Sequence, residues 1–281
     1  MRINDSNGYY EGEVLNSIPH GKGKYVGNNG YTYEGDFVNG KWEGEGVYFS
    51  SNGSKYVGKF YAGRWDDYGT LVTKDGEYYQ GEFLVGEIRG NGTKITYGKN
   101  GSIYKGEFRN GHFHGSGEIF YIDSEAYEKK PPVIKNSKQL VKVGENLPIK
   151  DKYQGEFMYG EKCGYGTYTF KNGDVYEGYF IMDTFDGEGK YIFANGDVYE
   201  GSFSSGKRHG QGEYTFANGD KYTGEFQSGD LSGYGKLVLQ DGSSYEGTFS
   251  QGKPNGKVTV CLTNGIKQKC IFRDGKIVSI L

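Results

Sequence analysis

The stretch Gly21-Lys22-Gly23-Lys24-Tyr25-Val26-Gly27 resembles a phosphate-cradling loop, in which glycines let backbone amides approach an anion and a lysine adds charge. That chemistry needs a helix N-terminus behind the loop, and no helical periodicity follows here. The same glycine pair returns at Gly44-Glu45-Gly46, Gly115-Ser116-Gly117, Gly164-Tyr165-Gly166, Gly187-Glu188-Gly189 and Gly210-Gln211-Gly212, so it is a structural recurrence. His112-Phe113-His114 sets two imidazoles close together, but zinc asks for three or four ligands. His20, His114 and His209 each precede a glycine at one recurring position. The carboxylates recur too: Glu82, Glu107, Glu156 and Glu225 read as one position, and Glu45, Glu118, Glu188 and Glu213 as another. Equivalent carboxylates indicate a solvated strand face, not an acid and a base with separated pKa values. Cys163, Cys261 and Cys270 lack CxxC spacing and indicate neither a disulfide framework nor a zinc site. With no convergent nucleophile, base or ligand set, the expectation is a non-enzyme with no catalytic residue, cofactor or metal.

What these residues share is a period of 23. Tyr10, Tyr33, Tyr56, Tyr79, Tyr104, Tyr153, Tyr176, Tyr199, Tyr222 and Tyr245 open successive units of the form Tyr-x-Gly-x-Phe-x-x-Gly-x-x-x-Gly-x-Gly-x-aromatic-x-aromatic-x-Asn-Gly-x-x. A unit this short cannot enclose a core and must bury its apolar face against its neighbours. In Tyr222-Thr223-Gly224-Glu225-Phe226 and Glu213-Tyr214-Thr215-Phe216, aromatic and polar residues alternate, which predicts two short antiparallel strands per unit. The Asn-Gly or Asp-Gly pairs ending the units, such as Asn52-Gly53, Asp75-Gly76 and Asn195-Gly196, predict type I′ hairpin turns. Ser17 and Asp183 stand where other units have the first loop glycine, and Asp67 replaces the next one, so these positions read as loops that tolerate side chains. The remaining glycines predict flat backbone on which aromatic rings lie.

The fold class expected is all-β: an elongated, single-layer, twisted antiparallel sheet of repeated hairpins. At ~4.8 Å per strand, ten units would extend roughly 90 to 100 Å. The boundaries read as an N-terminal cap over 1–9, five repeats over 10–121, an insertion over 122–152, five more repeats over 153–267, and a half-repeat cap over 268–281. That cap keeps Phe272 and Gly275 but has Gln268 in place of its tyrosine. The insertion contains Pro131, Pro132 and Pro148 and the lysines Lys129, Lys130, Lys135, Lys138 and Lys142. It reads either as a solvated loop or as a docking element, with the array continuing as two rods in series.

The run Tyr199-Glu200-Gly201-Ser202-Phe203-Ser204-Ser205-Gly206-Lys207-Arg208-His209-Gly210-Gln211-Gly212 resembles the MORN (membrane occupation and recognition nexus) repeat, from about residue 10 to the end apart from the insertion. The resemblance implies a β-hairpin array used for docking. Such arrays occur in junctional membrane proteins, lipid kinases, a protein methyltransferase, the radial spokes of cilia and protist cytoskeletons. Here the repeats leave no room for an appended kinase or methyltransferase domain.

Two binding functions follow as expectations. The first is a scaffold whose aromatic face, with Tyr176, Phe180, Tyr191, Phe193, Tyr199, Phe203, Tyr214, Phe216, Tyr222 and Phe226, receives a helical or extended segment of a partner protein. A cytoskeletal or ciliary, radial-spoke-like assembly is the setting that the resemblance implies, and self-association is compatible with an open sheet. The second is peripheral binding of anionic phospholipid through the repeats or the lysine-rich insertion. Trp42 and Trp65, read as loop-tip residues in Lys41-Trp42-Glu43 and Arg64-Trp65-Asp66, suit an interface or a partner pocket equally. The formal net charge is −3 and the loop-tip charges alternate in sign, which disfavours nucleic acid and ranks lipid below protein. Met1-Arg2-Ile3-Asn4-Asp5-Ser6 resembles neither a signal peptide nor a myristoylation site, so the expected location is cytoplasmic.

Overall fold

The computed structural model describes residues 1–123 and 148–281. Among the described residues there is no helix, and 23 strands, from Arg2–Asn4 to Lys276–Ile280, belong to one antiparallel sheet. The chain divides into two compact units, Met1–Lys152 with Phe157–Gly160, and Tyr153–Glu156 with Glu161–Leu281. From Gly8–Leu15 to His112–Ile122 in the first unit, and from Glu161–Thr169 onward in the second, each strand pairs with the next.

One repeat shows why. Strand Thr32–Val38 pairs with Lys41–Phe49 so that Tyr33 opposes Tyr48, Gly35 opposes Gly46 and Phe37 opposes Trp42, with a bulge after Gly35. The Tyr33 ring lies flat across the paired glycines: a Cβ on Gly46 would stand 2.5 Å from Tyr33 Cε2, and one on Gly35 2.5 Å from its Oη. No side chain fits there, which is why both positions are glycine. The hydroxyl donates to the Asp36 carbonyl at 2.9 Å, so the buried phenol keeps a partner. Phe37 and, from the following repeat, Phe60 stand edge-on to the ring at 5.2 and 4.8 Å. Tyr199 repeats the plan over Gly201 and Gly212, with Phe203 and Phe226 at 5.1 and 4.8 Å and its hydroxyl on the Ser202 carbonyl at 2.8 Å. Edge-to-face packing is the favoured arrangement of such rings. The core of each unit is therefore a layer of tyrosine and phenylalanine on one sheet face.

The turns differ from the sequence expectation. Pairs with two positive φ angles, such as Asn39-Gly40 (49° and 78°), Ala62-Gly63 and Val85-Gly86, make the two-residue connections within a repeat. At Asn52-Gly53 only the glycine has positive φ, 93°. There Ser50 N donates to Ser54 O and Gly53 N to Ser50 O, as in a type I turn closed by a left-handed glycine. The asparagine is needed for its side chain, since Asn52 Oδ1 accepts from Ser54 N at 2.9 Å. Ser17 and Asp183 lie in two-residue turns, as expected, whereas Asp67 lies within strand Arg64–Val72; the φ angles of the three, 63°, 65° and 54°, are values that glycine adopts at far lower cost.

Two further readings change. Strand Ile149–Met158 begins before the expected end of the insertion, so residues 149–152 are sheet, and Asp123 N donates to Pro148 O at 2.8 Å. The face opposite the tyrosine layer is not polar throughout. In the first unit, Val57, Tyr78, Ile95, Ile103 and Ile122 form a buried cluster, with Val47, Val72, Tyr97 and Phe120 against it. Val57 follows its repeat's tyrosine as Glu177, Glu200 and Glu246 follow theirs, so this second apolar layer belongs to particular repeats and not to the consensus.

Candidate docking faces

The expected docking residues separate into two groups. Tyr176, Phe180, Tyr199, Phe203, Tyr222 and Phe226 are at most 5% exposed and pack against one another; they build the core and present no surface. Tyr191, Phe193 and Phe216 are half-buried, and Tyr214 is 8% exposed. Together with Tyr168 and Phe170 these rings form a continuous file in the second unit. Tyr168 meets Phe170 at 4.6 Å, Phe170 meets Tyr191 at 5.8 Å, Tyr191 meets Phe193 at 4.5 Å, Phe193 meets Tyr214 at 5.8 Å, and Tyr214 meets Phe216 at 4.6 Å.

Hydrogen bonds between repeats set this file. Asp174 Oδ2 accepts from the Tyr191 hydroxyl at 2.7 Å and Oδ1 from Ala194 N at 2.8 Å. Asp197 does the same for Tyr214, at 2.6 Å, and Ala217, at 2.8 Å. These bonds, the tyrosine hydroxyl foremost, hold both carboxyls below their ordinary value. Burial, followed by the Asp197 bond, pushes Tyr214 up to about 12. A carboxylate that ends one repeat thus orients a ring in the next.

A second row lies directly on the core tyrosines. Trp42 stacks on Tyr33 at 4.6 Å and 9°, Trp65 on Tyr56 at 4.7 Å and 10°, Phe113 on Tyr104 at 3.8 Å and 9°, and Phe185 on Tyr176 at 3.8 Å and 18°. The tryptophans are therefore strand residues holding the core from outside, not loop-tip anchors; Lys41–Phe49 and Arg64–Val72 are both strands. At the matching position Arg208 lies 5.7 Å from the Tyr199 ring and 5.0 Å from Tyr214, and its Nη2 donates to Gly229 O at 2.5 Å. A guanidinium has replaced an aromatic ring and keeps its stacking role.

Tyr168, Phe170, Phe113, Phe185 and Arg208 were missing from the sequence candidates. Tyr168 and Phe170 precede Tyr191 and Phe193 by one period, and Phe113, Phe185 and Arg208 occupy the Trp42 position, so carrying the register across the repeats finds all five.

The other candidate chemistry separates in the same way. Gly21 to Gly27 lie in strand Ile18–Gly27, where Gly23 sits beneath the Tyr10 ring. Glu45 and Glu188 oppose Lys59 and Ser202, whereas Glu118 and Glu213 oppose Lys105 and Glu200, so the second carboxylate group comprises two positions and not one. Among the described residues no group of three or more His, Cys, Asp or Glu could hold a metal ion, and no helix is long and apolar enough to cross a membrane. Lys129, Lys130, Lys135, Lys138 and Lys142 lie outside the described residues.

A glycine floor, a flat tyrosine and a bulged hairpin recurring in register define a hairpin-repeat protein. The chain belongs to the MORN repeat family, whose model matches residues 10–30, 33–55, 104–124, 153–175, 176–198, 199–221, 222–244 and 245–257. The repeats opening at Tyr56 and Tyr79 follow the same register outside those stretches. Among solved structures, the chain is similar to the TCP10 domain of Danio rerio CPAP in complex with a peptide of STIL. Identity is 11%, covering 97% of this chain and 98% of that one, with a TM-score of 0.32. The TCP domain of Drosophila melanogaster SAS-4 in complex with a proline-rich motif of Ana2 is 12% identical over 92% of this chain and 94% of that one, with a TM-score of 0.27. Virginiamycin B lyase from Staphylococcus aureus is 10% identical over 92% and 86%, with a TM-score of 0.18. Likenesses of this degree assign neither a partner nor a reaction. No curated protein matches the chain.

Proposed function

We propose that the chain is a non-enzymatic scaffold whose second unit docks a helical or extended segment of a partner protein along its aromatic file. The observation that carries this reading is the unbroken run of rings from Tyr168 to Phe216, with Phe170, Tyr191, Phe193 and Phe216 only half-buried. Tyrosine and phenylalanine supply large, stiff contact area at low entropic cost, as interface anchors do. The setting proposed is a cytoplasmic cytoskeletal or ciliary assembly, in keeping with the MORN family, and a second copy of the chain is an admissible partner.

The test places a photo-crosslinking residue at Phe193 or Phe216 in the native source and identifies the adducts by mass spectrometry. Parallel fractionation separates membrane from detergent-insoluble pools. A stoichiometric protein adduct in the insoluble pool, lost in a Phe193→Ser and Phe216→Ser double variant that still folds, supports the scaffold. Adducts confined to lipid, with release by detergent, would move the assignment to the membrane surface.

A further inference from the structure

The face of the second unit opposite the tyrosine layer carries Glu156, Tyr165, Tyr179, Glu188, Glu225 and Tyr234 in one row, with Ser202 and Gln211 on the two strands between Glu188 and Glu225. Tyr165 and Tyr179 oppose each other in register, with rings 5.5 Å apart, and are 53% and 51% exposed; Tyr234 is 57% exposed. The Glu156 carboxylate lies against Gly164, next to Tyr165, and the Tyr179 side chain lies against Gly187, next to Glu188, so acids bracket the ring pair. In the corresponding row of the first unit, lysines neutralise two of the acids, whereas Glu82 and Glu107 accept from the backbone N–H groups of Asn91 and Ser116. Lys22 reaches Asp36 at 2.7 Å, and Lys59 pairs with Asp67. In the second unit the row meets neutral donors instead. Glu188 Oε1 accepts from Ser202 Oγ at 2.6 Å and Glu225 Oε1 from Tyr234 N at 3.3 Å. Among the described residues no ion pair reaches Glu156, Glu188 or Glu225.

We propose that this row docks an extended basic segment of a partner protein, with lysine or arginine side chains lying on Tyr165 and Tyr179 and pairing with Glu156, Glu188 and Glu225. The surface complements such a segment in charge, and a cation on a tyrosine face gains from the ring quadrupole as well as from the flanking carboxylates. The spacing restricts the occupant further. The three glutamates lie on strands Ile149–Met158, Thr184–Ile192 and Lys221–Gln227, each three strands beyond the last. At ~4.8 Å per strand that step is about 14 Å, which an extended chain advancing ~3.4 Å per residue covers in about four residues. A segment with a basic residue at every fourth position therefore matches the row. The site is on the opposite face from the aromatic file and does not depend on it.

The test is fluorescence anisotropy of the full chain with a labelled Gly/Ser peptide carrying arginine at every fourth position, against the same peptide carrying glutamate. The arginine peptide is expected to bind, with affinity falling as salt rises. A Tyr165→Ser and Tyr179→Ser double variant, or Glu188→Gln alone, is expected to weaken binding by about three- to tenfold. Tyr165→Phe with Tyr179→Phe should retain it, and Glu34→Gln, on the same face of the first unit, should leave it unchanged. Circular dichroism confirms the fold of each variant. Equal binding of the two peptides, no binding of either, unchanged affinity in Glu188→Gln, or an equal loss in Glu34→Gln would overturn the proposal.

Discussion

The repeats opening at Tyr199 and Tyr245 begin almost identically, Tyr-Glu-Gly-Ser-Phe and Tyr-Glu-Gly-Thr-Phe, yet their tyrosines take different places. Tyr199 is fully buried over Gly201 and Gly212, and its hydroxyl bonds to Ser202 O. Tyr245 is only half-buried and packs at the side of a small cluster of Val258, Val260, Cys270 and Phe272. The cause is on the facing strand. Gly247 opposes Val258, whose Cγ2 lies 3.1 Å from where a Gly247 Cβ would stand, and Val258 in turn opposes Cys270. Branched and thiol side chains fill the floor on which the ring would lie. The paired glycines, more than the tyrosine, therefore decide whether a repeat forms the layered core, and their loss changes the last hairpins to an aliphatic closure.

The most complete break is alkaline. Burial pushes the Tyr199 and Tyr222 hydroxyls from 10.0 up to about 12. A raised folded-state pKa favours the fold while the phenol is neutral. Stability should hold below pH 10 and be lost as the pH climbs from 10 towards 12, when unfolding releases phenols that ionise readily. Tyrosine absorbance and circular dichroism followed together should change in one step; phenolate absorbance complete at pH 10.5 with the sheet intact would contradict the buried layer. Phe203→Ala comes next. It removes a ring standing edge-on to both Tyr176 and Tyr199, at 5.0 and 5.1 Å, and should cost roughly 3 to 5 kcal/mol in denaturant unfolding. Phe272→Ala, whose one aromatic neighbour among the described residues is the displaced Tyr245 at 6.1 Å, should cost less. Gly212→Val copies the Val258 arrangement into a regular repeat. A Cβ there would stand 2.6 Å from Tyr199 Cε2, so about 2 to 3 kcal/mol should be lost and the near-ultraviolet tyrosine signal altered.

The hairpin array was legible because aromatic alternation and the Tyr-to-Tyr period both follow strand geometry. Which aromatic faces outward was not legible. Phe203 and Phe193 are alike as letters, but one stands between two flat tyrosines and the other lies between Tyr191 and Tyr214 in the outer file. The turn chemistry was misassigned because Asn-Gly satisfies two loop geometries, and the competing two-residue turn is made by pairs as unlike as Ala62-Gly63 and Val85-Gly86. The exposed Tyr165 and Tyr179 carry a readable signal, since Tyr165 sits between two glycines where other repeats have Glu45 or Glu188, and Tyr179 sits between glycine and phenylalanine where others have Glu156 or Glu225.

Asp197→Ala tests the link between repeats. It removes three hydrogen bonds, from Tyr214, Ala217 and the Asn195 side-chain amide, of which the first two link repeats, and should cost about 1 to 2 kcal/mol at neutral pH. Because the Asp197 carboxyl is held below its ordinary 3.8, its contribution is present above that pH and fades as the pH falls through the folded-state value. Wild type and variant should therefore converge in acid; a constant gap across the range would assign the loss to packing. The corresponding residues near the end of the chain are Ser243 and Ile266, so the link is absent where the glycine floor also ends.

The smallest effect runs the other way. Ser17 holds φ 63° at a position where Gly40, Gly63 and Gly206 make the same turn without a Cβ. Ser17→Gly relieves a left-handed conformation worth roughly 1 to 2 kcal/mol, while glycine's freer unfolded chain returns up to about 1. A net gain of a few tenths to about 1 kcal/mol is expected in denaturant midpoint at unchanged slope. If the midpoint fell instead, Ser17 would be held by contacts stronger than its backbone strain. The glycines of these turns would then reflect packing between repeats, as the glycines under Tyr199 do, and not dihedral preference.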